Sequence, residues 1–123
     1  ALAARDGKPF EPCTIPDGFY LVADSANPQV GFQKAILDGV ANVTHIAAAD
    51  QRGQLIGSPI LAPGLIAYPL RSLGLCAGMT DAPYRTTTEV YPDSPRTTPE
   101  RCIQAQVTAL RAALDFALRE PRV

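Results

Sequence analysis

The most regular hydrophobic pattern lies at the carboxy-terminal end of the chain. Over residues 97–121, aliphatic residues recur every three or four positions, which is the spacing of one face of a helix. Thr97 and Glu100 have the spacing of a capping box. Pro99 suits the first turn, and Pro121 ends the segment. The pattern predicts a long amphipathic helix that buries its stripe against a sheet or another helix. The predicted stripe comprises Ile103, Val107, Leu110, Leu114 and Leu118.

A shorter helix is predicted in the amino-terminal half. Asn27 and Pro28 form a good helix start, because Asn can accept from free N–H groups and proline needs no partner at the first helical position. Phe32, Ile36 and Val40 then recur at four-residue spacing. We therefore expect a helix that ends near Val40 and buries this stripe.

Short strands are predicted between the helices. They are runs of β-branched, aromatic and other apolar residues bounded by Gly, Pro or Asp. The predicted strands are 19–23, 43–49, 54–57, 65–68 and 84–91, with a turn at 50–53 that makes the second and third a hairpin.

Two helices and four to five short strands predict an α+β domain. We expect a small antiparallel sheet packed by a helix from the amino-terminal half and by the long carboxy-terminal helix. Residues 1–18 are polar and punctuated by proline and glycine, which favours an amino-terminal arm followed by a single domain over 19–123.

The composition and net charge of the chain disfavour nucleic acid and membranes as partners. The 123 residues are 46% hydrophobic and 19% charged, which is typical of a folded domain. Eleven basic residues oppose twelve acidic ones, for a net charge of −1, so no strong field would attract nucleic acid or an anionic membrane. Pro59, Pro63 and Pro69 interrupt the longest weakly charged stretch, so we expect no membrane span. Phosphate-loop, nucleophile-elbow and zinc-protease motifs are missing, and we expect no cofactor.

The cysteines leave two states open. Cys13, Cys76 and Cys102 are too far apart in sequence for a zinc or thioredoxin motif. Either Cys102 pairs with Cys13 or Cys76 and one thiol stays free, or all three are thiols. Asn42 begins an Asn-Val-Thr sequon and is a glycosylation candidate. The opening "ALAARD" resembles the region around the cleavage site of fungal secretory precursors, so we expect secretion, with a cytoplasmic location as the alternative.

Cys102 is also a candidate for reactivity. It falls in the first turn of the predicted carboxy-terminal helix, where the helix dipole favours a thiolate. Ala109, Ala113 and Phe116 continue its face at helical spacing, which favours a buried or disulfide-bonded cysteine instead.

The apolar stretch 55–75 is either core or, in part, an exposed edge that receives a partner. Its prolines remove backbone donors and favour an edge position. The hypothesised contact surface comprises Ile60, Leu61, Leu65, Ile66 and Tyr68.

Residues 76–85, "CAGMTDAPYR", resemble the loop after the first strand of tRNA-dihydrouridine synthases. The resemblance implies contact with a flavin, but that family places its catalytic cysteine on later strands of a large barrel. Only about forty residues follow here. We therefore interpret the stretch as a turn in which Asp81 bonds its own backbone and Pro83 directs the chain into the strand at Tyr84.

His45 is the sole histidine, so acid/base catalysis near neutral pH would depend on it. "HIAAADQRGQLIG" resembles a strand-turn-strand of fungal guanyl-specific ribonucleases and of ribonuclease-like secreted effectors. That resemblance implies His45 and Glu89 as proton-transfer groups and Arg85 as the phosphate ligand. Those enzymes use two histidines, which favours a binding-only member.

Three hypotheses follow. The favoured one is a small secreted, effector-like interaction protein that binds a protein partner or a second copy and is not catalytic. The second is an acid/base hydrolase or ribonuclease-like enzyme using His45, Glu89 and Arg85. The third is a bacterial ligand-binding domain.

Overall fold

The computed structural model describes residues 15–119. Most of the predicted arm 1–18 and the last four residues lie outside this range. In chain order the elements are β1 (Tyr20–Asp24), α1 (Val30–Val40), β2 (Gln54–Leu55), β3 (Ser58–Pro59), β4 (Leu65–Tyr68), α2 (Leu70–Leu73), a 3₁₀ turn (Cys76–Met79), β5 (Thr87–Glu89) and α3 (Pro99–Arg119).

β1 is the centre of a three-stranded sheet. β4 pairs with it in parallel and β5 pairs with it antiparallel on the other side. All five residues of β1 are buried, because both faces of this sheet are covered. β2 and β3 form a separate hairpin.

The two long helices cover one face of the sheet. Phe19, Leu21 and Ala23 project to this side and pack in one core cluster with α1 and α3. α1 contributes large side chains, whereas the buried residues of α3 are small. The buried residues of these helices are Phe32, Gln33, Ile36, Leu37 and Val40 of α1 and Cys102, Ala105 and Ala109 of α3.

The β2–β3 hairpin and α2 cover the opposite face. Tyr20 and Val22 project to this side, where they pack with Leu55, Ile66 and Leu70. The alternation of side chains along β1 therefore divides the core between two faces of one sheet.

The α+β class, the helix in the amino-terminal half and the long carboxy-terminal helix are confirmed. The strand 65–68 has the predicted bounds, whereas the predicted strands 54–57 and 84–91 are shorter in the structure. The strands fall into two sheets among the described residues and include one parallel pair, so the predicted single antiparallel sheet was wrong. Of the predicted strand 43–49, only Ile46 forms a bridge, parallel to Phe19. The turn at 50–53 forms because the Asp50 carboxylate accepts from the backbone of Arg52 and Gln54. Its hairpin partner is nevertheless β3, joined to β2 through the tight turn at Ile56 and Gly57.

Both helices begin at other residues than predicted. α1 begins at Val30, and Asn27 does not cap it, because the Asn27 Oδ1 accepts from the Gln29 side chain and not from a helix backbone N–H. α3 begins after Thr98, whose hydroxyl accepts from the backbone N–H of Arg101. The Thr97 hydroxyl is instead hydrogen-bonded to the Thr44 hydroxyl, with 3.1 Å between the two Oγ1 atoms.

Candidate functional site

The five aliphatic residues predicted to be the buried face of the last helix are exposed. Ile103, Val107, Leu110, Leu114 and Leu118 have between 44% and 77% of their surface open to solvent. We call this set the aliphatic stripe. Residues two positions apart on a helix lie on nearly opposite sides of it, so burial of the alanine face turns the aliphatic stripe outward.

The close approach of α1 and α3 explains why α3 buries its alanine face and not its aliphatic stripe. A Cβ on Gly39 of α1 would lie 3.4 Å from the Ala112 Cβ and 3.6 Å from Thr108 Cγ2. Small residues let helix backbones approach, and a leucine at such a contact would force them apart. The amphipathic pattern was predicted correctly, but the face that it buries was not.

An aromatic cluster fixes the rotation of α3. Phe116 lies edge-on to Phe32 and Tyr84, with ring centroids 5.8 and 5.6 Å away. Phe32 and Tyr84 are 5.1 Å apart. Because Phe116 is anchored among these rings, the helix cannot turn its leucines inward without losing this contact.

Polar side chains border the aliphatic stripe. Gln104 and Arg111 are exposed beside it on one flank of the same helix. An apolar centre with a charged and amide rim is the usual arrangement of a protein contact surface.

The contact surface hypothesised in the stretch 55–75 belongs largely to the core. Leu65 and Ile66 are fully buried, one on each face of the sheet, so no partner can reach them in the folded chain. Ile60 and Tyr68 pack against the second cluster, and Leu61 alone of the five is markedly exposed. This correction has a physical reason: β4 pairs with the central strand and is covered on both faces.

His45 is held by an aspartate that sequence spacing did not indicate. Its Nε2 lies 2.9 Å from Asp17 Oδ1, and the histidine side chain is 12% exposed. A hydrogen bond from Ser94 and, next, the His45 ring hold the pKa of Asp17 below its ordinary value. Asp17 is 28 residues away in sequence, so only the fold brings the pair together.

A chain of polar groups continues from His45 toward the first turn of α3. His45 Nδ1 lies 3.5 Å from Thr44 Oγ1, and Thr44 Oγ1 lies 3.1 Å from Thr97 Oγ1. The sulfur of Cys102 lies 4.0 Å from Thr97 Oγ1. The crevice between these groups has no room for a water molecule. The arrangement can orient the imidazole, but a substrate cannot enter this crevice as it stands.

Arg85 is engaged elsewhere. Its Nε and Nη2 donate to Asp24 Oδ2 at 3.1 and 2.8 Å, and both side chains are nearly buried. The backbone N–H of Ala26 and then the Arg85 guanidinium lower the pKa of Asp24. This ion pair joins the end of β1 to the segment before β5.

The three residues of the hydrolase hypothesis do not form one site. Arg85 binds Asp24 at the carboxyl end of β1, whereas His45 lies beside the amino-terminal end of this strand. Glu89 is paired with Tyr20 and shares its face, which is the face turned away from the helices. His45 lies on the helix side, next to Val90.

The stretch 76–85 forms a braced turn. Arg71 of α2 donates to the Gly78 carbonyl and to the Asp81 carboxylate, which was predicted to bond its own backbone. Thr80 instead accepts from the backbone of Ala82. Gly78 lies against the backbone of α2 with no room for a Cβ. This glycine therefore serves close packing.

Cys102 is buried, in agreement with its predicted helical face, and forms no disulfide with any side chain that the structure describes. Cys13 and the side chain of Cys76 lie outside what the structure describes, so the disulfide stays a prediction. Asn42 is exposed and donates to the carbonyls of Asp38 and Gly39 at the end of α1. Glycosylation at Asn42 likewise stays a prediction.

One shallow groove, of about 370 Å³, lies where Ile15 and Asp17 pass the β2–β3 hairpin, and its far wall contains Asp50, Leu55 and Ile56. Across residues 15–119, His, Cys, Asp and Glu side chains form no group of three that could hold a metal ion. None of the helices in that range has both the length and the apolar composition to cross a bilayer.

No known protein family matches the sequence, and no curated protein does.

Proposed function

We propose that this protein is a small interaction protein, secreted and effector-like, that binds a protein partner through the aliphatic stripe of α3. The observation that carries the proposal is the exposure of five large aliphatic side chains along one line of a helix. Single exposed leucines are common on folded proteins, but contiguous patches mark contact sites.

The size of the patch supports this function. Five large aliphatic side chains, each at least 44% exposed, lie along one side of α3, whereas monomeric proteins rarely expose contiguous apolar patches of more than a few hundred Å². Keeping such a surface in water is unfavourable, because apolar area gains about 25 cal/mol per Å² when it is removed from water. A partner that covers the aliphatic stripe recovers this free energy.

Stripe-directed substitutions test the proposal. The variant Leu110→Asp/Leu114→Asp places two carboxylates in the centre of the patch and leaves the buried alanine face intact. Met79→Asp is the matched control, since Met79 is an exposed apolar residue on the 3₁₀ turn, outside the aliphatic stripe. Partners are measured by chemical crosslinking and mass spectrometry of the native protein in its source material.

We expect the double variant to lose the crosslinked partners of the wild-type chain and Met79→Asp to keep them. Identical partner sets for wild type and the double variant would contradict the proposal. Circular dichroism and thermal melting of each variant establish that it is folded before the comparison is made.

The hydrolase function is the second candidate, favoured by the Asp17 carboxylate that orients the His45 ring. Carboxylate–imidazole pairs are common in acid/base catalysis. An RNA-cleavage assay with wild type and His45→Ala separates the two functions. Cleavage that disappears in His45→Ala would replace the interaction proposal by the enzyme.

Secretion can be tested separately with a count of free thiols on native material. One disulfide and one free thiol support the secreted proposal, because stable disulfides form in oxidising compartments. Three free thiols favour the third hypothesis, a cytoplasmic ligand-binding domain.

A further inference from the structure

We draw no further inference here: the strongest candidate, the exposed aliphatic stripe along the solvent-facing side of α3, belongs to the site already described, and nothing in the structure shows what covers it.

Discussion

Gly39 of α1 lies against Ala112 of α3, so close that a Cβ on the glycine would be 3.4 Å from the alanine Cβ. This contact belongs to a seam of small residues along which the two helices approach. The same seam buries Ala105 and Ala109, and it leaves the aliphatic stripe on the outside.

The first prediction concerns this seam. Ala109→Leu should lower the free energy of unfolding by about 1–3 kcal/mol, because the added carbons have no space between α1 and α3. Chemical denaturation measures the change. Gln104→Leu introduces the same residue at an exposed position of the same helix and should alter stability by about 0.5 kcal/mol or less. Equal effects at the two positions would contradict the packing described.

The second prediction separates backbone strain from packing. Gly64 and Gly57 have similar positive φ angles, +81° and +74°. A Cβ at Gly64 would collide with side chains of Ile46 and Leu37, whereas nothing lies within 4 Å of one at Gly57.

Gly57→Ala should therefore cost about 1–2 kcal/mol of unfolding free energy from the left-handed backbone alone. Gly64→Ala should cost about 2–4 kcal/mol, since the collision adds to the same strain. Thermal melts of both variants beside wild type give the comparison. A Gly64→Ala protein as stable as Gly57→Ala would show that the loop before β4 can shift away from α1.

The third prediction is a pH dependence at Asp24. Its pKa is lowered in the folded chain, so this group stabilises the fold above the ordinary aspartate value of 3.8, and that stabilisation is lost as pH falls through the folded pKa. Asp24→Asn should be less stable than wild type at neutral pH, and the difference should shrink in acid.

Urea denaturation at several pH values from neutrality to about pH 3 measures this difference. Asp81→Asn is the control, because its ion pair with Arg71 is exposed and contributes about 1 kcal/mol or less. A stability gap for Asp24→Asn that stays constant with pH would argue against the ion pair with Arg85 as its source.

The fourth prediction concerns a buried amide. Gln33 is fully buried, its Nε2 lies 3.4 Å from the Arg85 carbonyl, and its Oε1 has no partner among the described residues. Gln33→Met should leave the unfolding free energy unchanged or raise it by about 1 kcal/mol, because it removes an unsatisfied acceptor from the core.

Thr88→Val gives the opposite case, since the Thr88 hydroxyl donates to Gln106 Oε1 at 2.6 Å. That variant should lose about 1 kcal/mol. Denaturant unfolding of both proteins measures the pair. Destabilisation of Gln33→Met by several kcal/mol would indicate that Oε1 has a partner in solution.

The sequence by itself determined the elements whose cause is local. Phe19–Ala23 predicted the central strand, and Phe32, Ile36 and Val40 predicted the buried side of α1. The 3.6-residue period of 97–121 predicted a long helix because apolar residues that recur at this spacing specify a helix within a few turns. The turn at 50–53 was correct for the same reason: Asp50 bonds its own neighbours.

Only the tertiary structure decided which side of α3 is buried. Leu110 and Ala109 are adjacent in sequence, and hydrophobicity ranks leucine as the residue to bury. Gly39 and Phe32 of α1 accept a small face and an aromatic ring, and that fit is a property of two helices together. Local sequence pattern likewise could not predict the ion pairs of Asp17 and Asp24 or the pairing of β1 with β4. Each of these contacts joins residues far apart in the chain, and the residues come together only when the sheet packs.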